Sequence, residues 1–585
     1  MLGYHQLNLK PNHRVNQPRP AIVAQGSVRR LPRIALLLFC LAYLLPGFIG
    51  RMPWRSADIS AFGYMRELAL GHSDWLAPLL GTRAPEVDAL LPYWLGAWAL
   101  QLAPAWIAPD FAVRLPFIAL LALALAGTWY GCYSLARSPL AQPVAFAFGG
   151  EANPRDYARA IADGALLALI ASLGLAQLSH ETTPAQAQLG FNALAFYAAA
   201  ALPFHRWSAI LAGVLGFAGL TLCGAPTVAL LLAIGAATMI WLGPQAQDQG
   251  TDMPERASIA WLPLLWIALV VVLASSLEVW RWRLHWPAGA EGWQSRVSLL
   301  VWFTWPAWPL ALWTLLRWRR QLFSSHLHQH LALPLWFSLV HLGTTLFTSA
   351  GDRALLLALP TLAVLAAFAL PTLRRSLSAL IDWFTLLFFT GCAIIIWVVW
   401  LAMHTGVPPQ PAANVARLLP GFEPRFVILP FVFAVLASLT WAWLVHWRVG
   451  RHRAALWKSL VLPAGGAALC WLLLTTLWMP ALDFARSYRP LVQRIEASVQ
   501  PANCIQTFGL SRGLEAGFGF HSRLQLQPAS DQASCAWLLI ERDIVTDTPE
   551  IVNTARWQRH ATFAHPREGE EDLVLYRLLP GAASP

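Results

Sequence analysis

The acidic side chains at residues 51–94 are the first candidates for chemistry in this sequence. This segment is the longest polar interruption in the first 130 residues. It contains Asp58, Glu67, Asp74, Glu86 and Asp88, together with Arg51, Arg55, Arg66 and Arg83. Charged groups kept at a membrane are costly and mark functional sites. We therefore predict that Asp58 serves an active site at the outer boundary of a membrane.

The residues after Asp58 have the spacing of an amphipathic helix. Their apolar members fall near one side of such a helix: Ile59, Phe62, Met65, Ala69 and Leu70. This pattern predicts a helix lying along the bilayer face with Asp58 at its N-terminus. A carboxylate there could act as a base, or it could simply cap the helix, a common use of Asp.

The composition excludes a soluble protein. Of 585 residues, 57% are hydrophobic and only 12% are charged, which is typical of a polytopic α-helical membrane protein. The net charge of +11 would suggest nucleic acid in a soluble chain. Here the arginines lie in short loops between apolar runs, where they set topology, so we expect no nucleic-acid partner.

The long apolar runs predict about thirteen transmembrane helices. They are 33–50, 111–136, 160–180, 186–202, 207–222, 225–242, 259–277, 297–316, 331–348, 353–370, 383–402, 425–445 and 459–479. The Pro-rich, aromatic run 89–108 is interpreted as an interfacial segment. With this count, the basic loops fall on the cytoplasmic side. The domains are then a cytoplasmic tail (1–32), a transmembrane domain (33–479) with an outer loop (51–110), and an outer C-terminal domain (480–585).

The C-terminal domain has the pattern of a small α/β unit. Short β-prone runs occur at 504–510, 524–527, 536–540 and 573–579, with helical patterns near 488–499 and 549–556. Its length of about 100 residues is usual for a domain. If this domain lies outside the cytoplasm, Cys504 and Cys535 could form a disulfide.

Several short motifs carry a resemblance to a known family. The letters SDWLAP follow Asp58 at 73–78, LPYWL stands at 91–95, and AVRLP opens the next span at 112–116. In this order they resemble the GT-C membrane glycosyltransferases, in the aminoarabinose-transferase-like branch of the protein mannosyltransferase family. The resemblance implies a bacterial inner-membrane enzyme with a periplasmic C-terminal domain. It also implies a polyprenyl-phosphate-linked sugar as donor.

The sequence departs from that family at residues that matter for the chemistry. Ile59 stands where the family has a second acid, and Val87 and Asp88 stand where it has a phosphate-binding Glu-Lys pair. The only lysines are Lys10 and Lys458, both predicted to be cytoplasmic. Arginine must therefore bind the phosphate, and its planar fork suits phosphate oxygens.

The resemblance and the predicted topology together define a candidate site. The catalytic acids are Asp58 and Glu181, with Asp163 as a rival on the predicted cytoplasmic side. The candidate phosphate ligands are Arg114, Arg353 and Arg55, and the aromatic contacts with sugar or isoprenoid are Trp75, Tyr93 and Trp94. The alternatives are a solvated pair at His180 and Glu181, arginines that snorkel to the interface, and an ordinary aromatic belt. We expect a cleft between loop 51–110 and the loops near 180 and 350, covered by the C-terminal domain.

No cofactor is predicted from the sequence. His326, His328 and His330 lie in a basic loop without an acidic or cysteine partner, and we interpret them as solvated. No DxD, HExxH, P-loop or GxGxxG motif occurs in a suitable context. A divalent metal ion is left open without supporting residues.

These observations predict an inner-membrane glycosyltransferase that works on the periplasmic side. It would take a sugar from a polyprenyl-phosphate donor and place it on a lipid, glycan or protein acceptor, with membrane lipids around it. The alternatives are a polymerase or ligase of lipid-linked glycans, a transporter or flippase, and a catalytically inactive family member. A transporter would be expected to show mid-span charges and an inverted repeat, which the sequence lacks.

Overall fold

The computed structural model describes most of the chain. The described residues are 20–242, 261–280, 286–287, 289–324, 327–348, 351–449, 455–529, 535–541, 556–564 and 572–579. Residues 549–555 of the predicted helix at 549–556, His326 and most of the cytoplasmic tail lie outside them.

The N-terminal part of the chain is helical, with short connections. Its helices are α1 (Arg33–Leu44), α2 (Ala57–Ala69), α3 (Leu91–Leu102), α4 (Pro109–Ala136), α5 (Pro154–Ala171), α6 (Leu175–Leu178), α7 (Pro184–Ala201), α8 (Arg206–Leu222) and α9 (Pro226–Leu242). The predicted surface helix after Asp58 is α2. The interfacial run is α3, whose 12 residues fall short of the roughly 20 that cross a bilayer.

Helices also dominate the segment up to residue 499. They are α10 (Leu262–Ser276), α11 (Gly289–Phe303), α12 (Ala307–Arg317), α13 (Arg319–Leu322), α14 (Gln329–Leu346), α15 (Gly351–Leu356), α16 (Leu359–Ala367), α17 (Arg375–Thr405), α18 (Pro409–Leu418), α19 (Ile428–Val449), α20 (Lys458–Leu477), α21 (Met479–Arg486) and α22 (Arg489–Val499).

Each predicted span coincides with one of these helices or with a broken pair. Five stretches of the described residues are long and apolar enough to cross a membrane: Pro109–Ala136, Gly351–Thr372, Arg375–Thr405, Ile428–Arg448 and Lys458–Leu477. The pair α11 and α12, bent by 86°, would make a sixth. Other apolar helices, such as α8 and α9, have 17 residues. The chain is thus a multi-pass membrane protein, and the count of thirteen stays a prediction.

Small residues allow α4, α7 and α8 to pack closely. A Cβ at Gly127 would lie 2.8 Å from the carbonyl oxygen of Ala193, and one at Gly190 would lie 2.9 Å from that of Leu120. Helix association in membranes depends on such close backbone approach, since burial from water contributes little there. α7 is therefore fixed between its neighbours, with its N-terminus at Pro184.

The C-terminal domain is built around a five-stranded mixed sheet. Its strands are β1 (Cys504–Phe508), β2 (Gln525–Pro528), β3 (Trp537–Glu541), β4 (Trp557–Phe563) and β5 (Leu573–Leu578), in the order β2-β1-β3-β5-β4. β1 runs parallel to β2 and β3, and β5 is antiparallel to β3 and β4. The four predicted strands are confirmed. β4 and helix α23 (Arg512–His521) were not predicted.

The C-terminal domain packs on α2. The rings of Phe62 on α2 and Phe520 on α23 have centroids 4.7 Å apart. Arg512 forms an ion pair with Glu86 at 3.1 Å. Cys504 and Cys535 form the disulfide considered from the sequence, with their Cα atoms 5.7 Å apart. The sheet therefore holds α23 against the loop that contains Asp58.

Candidate functional site

The carboxylate of Asp58 is buried and fully hydrogen-bonded. Its side chain is 2% exposed. Oδ2 accepts from Arg51 Nη1 at 2.8 Å and from the backbone N of Trp54 at 3.0 Å. Oδ1 accepts from both the backbone N and Oγ1 of Thr182 at 2.7 Å. Burial alone would raise the pKa of Asp58, but the charge of Arg51 and these hydrogen bonds outweigh it and lower the pKa.

Arg51 is the partner of Asp58 in this ion pair, and each of its three guanidinium nitrogens donates a hydrogen bond. Its Nε donates to Gly47 O at 3.0 Å, and its Nη2 donates to His180 O at 2.5 Å. Its guanidinium also lies 4.6 Å from the ring centroid of Trp54. The N-cap of α2 is Ser56, so the alternative that Asp58 caps the helix is wrong. Asp58 instead joins the loop before α2 to the loop at 180–182.

Glu181 is as buried as Asp58 but much less tightly held. The residue is 6% exposed. Its nearest donors are Arg353 Nη2 at 3.4 Å and Gln177 Nε2 at 3.5 Å. Burial raises the pKa of Glu181, the negative charge of Asp58 adds to this, and Arg353 and Arg51 oppose it. The environments of the two acids therefore push their pKa values apart.

His180, beside Glu181, lies in a cage of aromatic rings. Ring centroids of Tyr43, Phe48 and Trp471 lie at 5.6, 4.9 and 4.7 Å from the imidazole. Its Nδ1 and Nε2 both face carbonyl oxygens, those of Ala176 and Tyr43. Because His180 is 1% exposed, the alternative of a solvated pair at 180–181 is wrong.

Arg353 is the arginine that reaches Glu181. It lies on the short helix α15, and its side chain is 29% exposed. Its buried Nε has no hydrogen-bond partner among the described residues. Arg296 lies against Gly351, two residues before Arg353, because a Cβ at Gly351 would be 2.2 Å from Arg296 Nη1. That Nη1 donates to Thr345 O at 2.8 Å, so glycine at 351 leaves room for Arg296.

Buried polar groups support the break between α15 and α16. Asn192 Nδ2 donates to Leu357 O at 2.9 Å, and Asn192 Oδ1 is 3.0 Å from His341 Nε2. A carbonyl freed by a broken helix needs such a partner inside a membrane protein. These contacts fix the direction of the short helix that carries Arg353.

The other two predicted phosphate ligands have different surroundings, and Arg114 Nη2, like Arg353 Nε, is buried without a hydrogen-bond partner among the described residues. Arg114 is 2% exposed, so it does not snorkel. Its Nη1 donates to Phe48 O at 3.2 Å, and its Nη2 lies 3.1 Å from an oxygen of Asp110. The backbone N of Arg55 donates to Arg486 O at 2.7 Å. Among the predicted arginines, Arg353 is the one that contacts a predicted acid.

The three predicted aromatic contacts form one cluster around α3. Trp94 Nε1 donates to Trp75 O at 2.7 Å. The ring of Trp75 stacks with that of Trp98 at 6.2 Å, and Tyr93 lies against Tyr64 at 5.4 Å. This cluster lies towards the C-terminal domain.

The sequence analysis missed Asp483, which lies on α21 directly after the last apolar helix. Its Oδ1 accepts from the backbone N of Met52 at 2.7 Å and from Trp54 Nε1 at 3.2 Å. The guanidinium of Arg486 lies 5.0 Å from the centroid of the same Trp54 ring. The sequence feature that could have pointed to Asp483 is its position as an acid directly after the last apolar run. Its contact with Met52 could not be predicted, because the two residues are far apart in the sequence.

The structure also shows the surroundings of His330 and Asp163, which the sequence analysis had considered. His330 is fully buried against Trp318 and Phe368, so the interpretation as solvated is wrong at this position. Asp163 accepts from Trp129 Nε1 at 2.9 Å, away from Glu181. The described residues contain no group of three or more His, Cys, Asp or Glu side chains arranged for a metal ion.

Comparisons with known proteins identify the fold. No protein-family model matches the sequence, and no curated protein is significantly similar to it. The structure is similar to that of ArnT from Cupriavidus metallidurans bound to undecaprenyl phosphate, with a TM-score of 0.57 and 13% identity, over 95% of this chain and 100% of that chain. The apo state of the same protein gives a TM-score of 0.55 and 14% identity, over 94% and 99%. The chain therefore has the fold of ArnT, a GT-C aminoarabinose transferase, along nearly its whole length.

Proposed function

We propose that the protein is a glycosyltransferase that uses a polyprenyl-phosphate-linked sugar at the periplasmic face of a bacterial inner membrane. The observation that supports this most is the contact of a buried, loosely held Glu181 with Arg353. A carboxylate of raised pKa beside a guanidinium with an unused N–H suits proton transfer next to an anion. The ArnT fold supports the choice of lipid donor, since one ArnT structure contains undecaprenyl phosphate.

In the proposed reaction, a hydroxyl of the acceptor attacks the anomeric carbon of the donor sugar. The bond from that carbon to the phosphate oxygen breaks, and the polyprenyl phosphate leaves with the electron pair. Glu181 accepts the hydroxyl proton. Arg353 donates to the leaving phosphate. Preorganised donors of this kind stabilise the charge that develops in the transition state.

Asp58 has a positioning role in this proposal. Its four hydrogen bonds and its lowered pKa leave it little capacity to accept a proton. Through Thr182 it fixes the backbone next to Glu181. Through Arg51 it fixes the carbonyl of His180 on the other side. The backbone on both sides of Glu181 is thereby held in place, while the Glu181 carboxylate stays available to accept a proton.

The remaining predicted residues have supporting roles in this proposal. Arg114 holds the carbonyl of Phe48, in the segment that leads to Arg51. Arg55 follows that segment and adds positive charge at the outer boundary. The aromatic cluster of Trp75, Tyr93 and Trp94 would contact sugar or isoprenoid at the edge of the site.

Binding of undecaprenyl phosphate tests the proposal directly. The protein in lipid nanodiscs is titrated with undecaprenyl phosphate and, separately, with undecaprenol, which lacks the phosphate. We expect the phosphate to be required for tight binding, and Arg353→Ala to weaken that binding at least tenfold. Arg417→Ala, which removes an exposed arginine from α18, is the matched control. Equal binding of the two lipids, or no effect of Arg353→Ala, would refute the phosphate-binding role.

A further inference from the structure

A large apolar cavity lies along α1 and α20, the helices that also carry Tyr43 and Trp471. It is open, it is lined by α1, α17, α19 and α20 and by the segment that precedes α19, and its volume is about 610 Å³. This is within the range of roughly 300–1,000 Å³ found for small-molecule sites. The cavity is therefore large enough to hold a ligand.

The lining of the cavity suits a hydrocarbon chain. Leu38, Leu41 and Leu45 line one wall along α1, over about 10 Å of helix. Val427 and Phe433 contribute to the lining from the segment around the start of α19. All five side chains are at least 37% exposed. No acidic side chain belongs to the lining among the described residues, so nothing there repels an anionic lipid.

The polar groups of the cavity are few and are cationic or neutral. Arg425 lines it and, within the described part of the chain, forms no ion pair. His404 also lines it, and His404 Nε2 is buried with no hydrogen-bond partner among the described residues. Arg425 immediately precedes the start of α19, and His404 is at the end of α17. An arginine at a membrane surface attracts an anionic headgroup and can bind phosphate oxygens in pairs.

The cavity shares walls with the candidate active site but not its residues. Tyr43 on α1 and Trp471 on α20 turn towards His180. The cavity is lined by other positions of the same two helices, such as Leu41 and Leu472, and Glu181 and Arg353 do not belong to the lining. A chain in this cavity would therefore be bound separately from a donor phosphate at Arg353.

We propose that this cavity binds one hydrocarbon chain of an anionic glycerophospholipid, with the phosphate at Arg425. The apolar walls take up the chain, and the uncompensated guanidinium selects the negative headgroup. This site goes beyond the proposed sugar transfer and does not depend on it. It would tie the protein to one class of bilayer lipid.

Lipid retention tests the proposal. The protein is assembled in nanodiscs that contain equal amounts of phosphatidylglycerol and phosphatidylcholine and is then extracted in mild detergent, and the lipids that remain bound are measured by mass spectrometry. We expect the wild type to retain phosphatidylglycerol preferentially. Arg425→Gln should lower that preference about fivefold, whereas Arg417→Gln, on an exposed arginine of α18, should not.

A second pair of variants tests the chain site independently of charge. Ala42→Phe places a ring in the cavity, and Ala35→Phe adds the same ring at an exposed position of the same helix. Only Ala42→Phe should reduce retention of both lipids. The proposal is overturned if neither Arg425→Gln nor Ala42→Phe changes retention. It is also overturned if undecaprenyl phosphate displaces the lipid from the wild type, because the cavity would then belong to the donor.

Discussion

Asp58 and Glu181 are neighbouring buried acids with opposite surroundings. Asp58 accepts four hydrogen bonds of 2.7 to 3.0 Å. Glu181 has only two contacts, at 3.4 and 3.5 Å. The strong contacts lower the pKa of Asp58, and burial without them raises the pKa of Glu181. The comparison shows that equal burial can produce a structural acid and a reactive one, depending on how many donors each acid receives.

The largest expected effect comes from removing the charge of the reactive acid. Glu181→Gln keeps the size of the side chain but cannot accept the proton, so we expect the rate of sugar transfer to fall by about 10²–10⁴-fold. The melting temperature should change little. Glu86→Gln, whose carboxylate is 77% exposed, serves as the control. A transfer rate close to that of the wild type in Glu181→Gln would remove Glu181 from the mechanism.

Replacing the Asp58 carboxylate by an amide should lower the stability of the folded protein. Asp58→Asn leaves Arg51 as an uncompensated buried charge, at a cost on the order of 3–5 kcal/mol in the free energy of unfolding. Denaturation in detergent measures this, with the exposed Asp74→Asn as the control. If Asp58→Asn kept wild-type stability but lost sugar transfer, the roles of the two acids would have to be exchanged.

The arginine beside Glu181 should affect donor binding more than the proton transfer. Arg353→Lys keeps the charge but loses the planar fork, so we expect the KM for the donor to rise about tenfold, with a smaller change in kcat. Steady-state kinetics over a range of donor concentrations separate the two constants. Arg417→Lys should leave both unchanged. An effect confined to kcat would mean that Arg353 contacts the phosphate only in the transition state and not in the bound donor.

The smallest expected effect is on the pH dependence of the sugar-transfer rate, which should distinguish Glu181 from Asp58. Glu181 must be ionised to accept a proton, so the rate should fall about tenfold per unit as the pH drops below its pKa. That pKa lies above the usual 4.5. Asp58 stays ionised in this range because its pKa is below 3.8. Its contribution to stability is lost only as the pH falls through that lower value. Glu181→Gln should abolish the descending limb of the rate profile without moving the acid unfolding midpoint.

The sequence predicted the elements of the membrane domain well but only part of the site. The apolar runs are local signals, so the positions of the helices and of α2 could be read directly. The pairing of Arg51 with Asp58 depends on a non-helical turn, in which Ser56 has a positive φ of 72°. No periodicity rule covers such a turn. The sequence also could not predict how many hydrogen bonds Asp58 and Glu181 each accept, because these depend on Thr182 and on backbone groups.

Long-range contacts explain the other differences. His330 was expected in solvent because its sequence neighbours are basic, but the structure packs it against Phe368. Strand β4 has an exposed, polar middle that gave no β-prone pattern, and it is held by pairing with β5. Such placements are decided by distant parts of the chain, which a single sequence does not reveal.

The contact of Asp483 with Met52 and Trp54 has a consequence for how the protein is made. The loop that supplies Arg51 and Asp58 is synthesised well before Asp483 and Arg486, which follow more than four hundred residues later. The contacts that hold Trp54 can therefore form only after residue 486 has been added to the chain. Nascent chains halted before residue 483 would expose this tryptophan to quenchers in solution, and those extended past residue 486 would shield it.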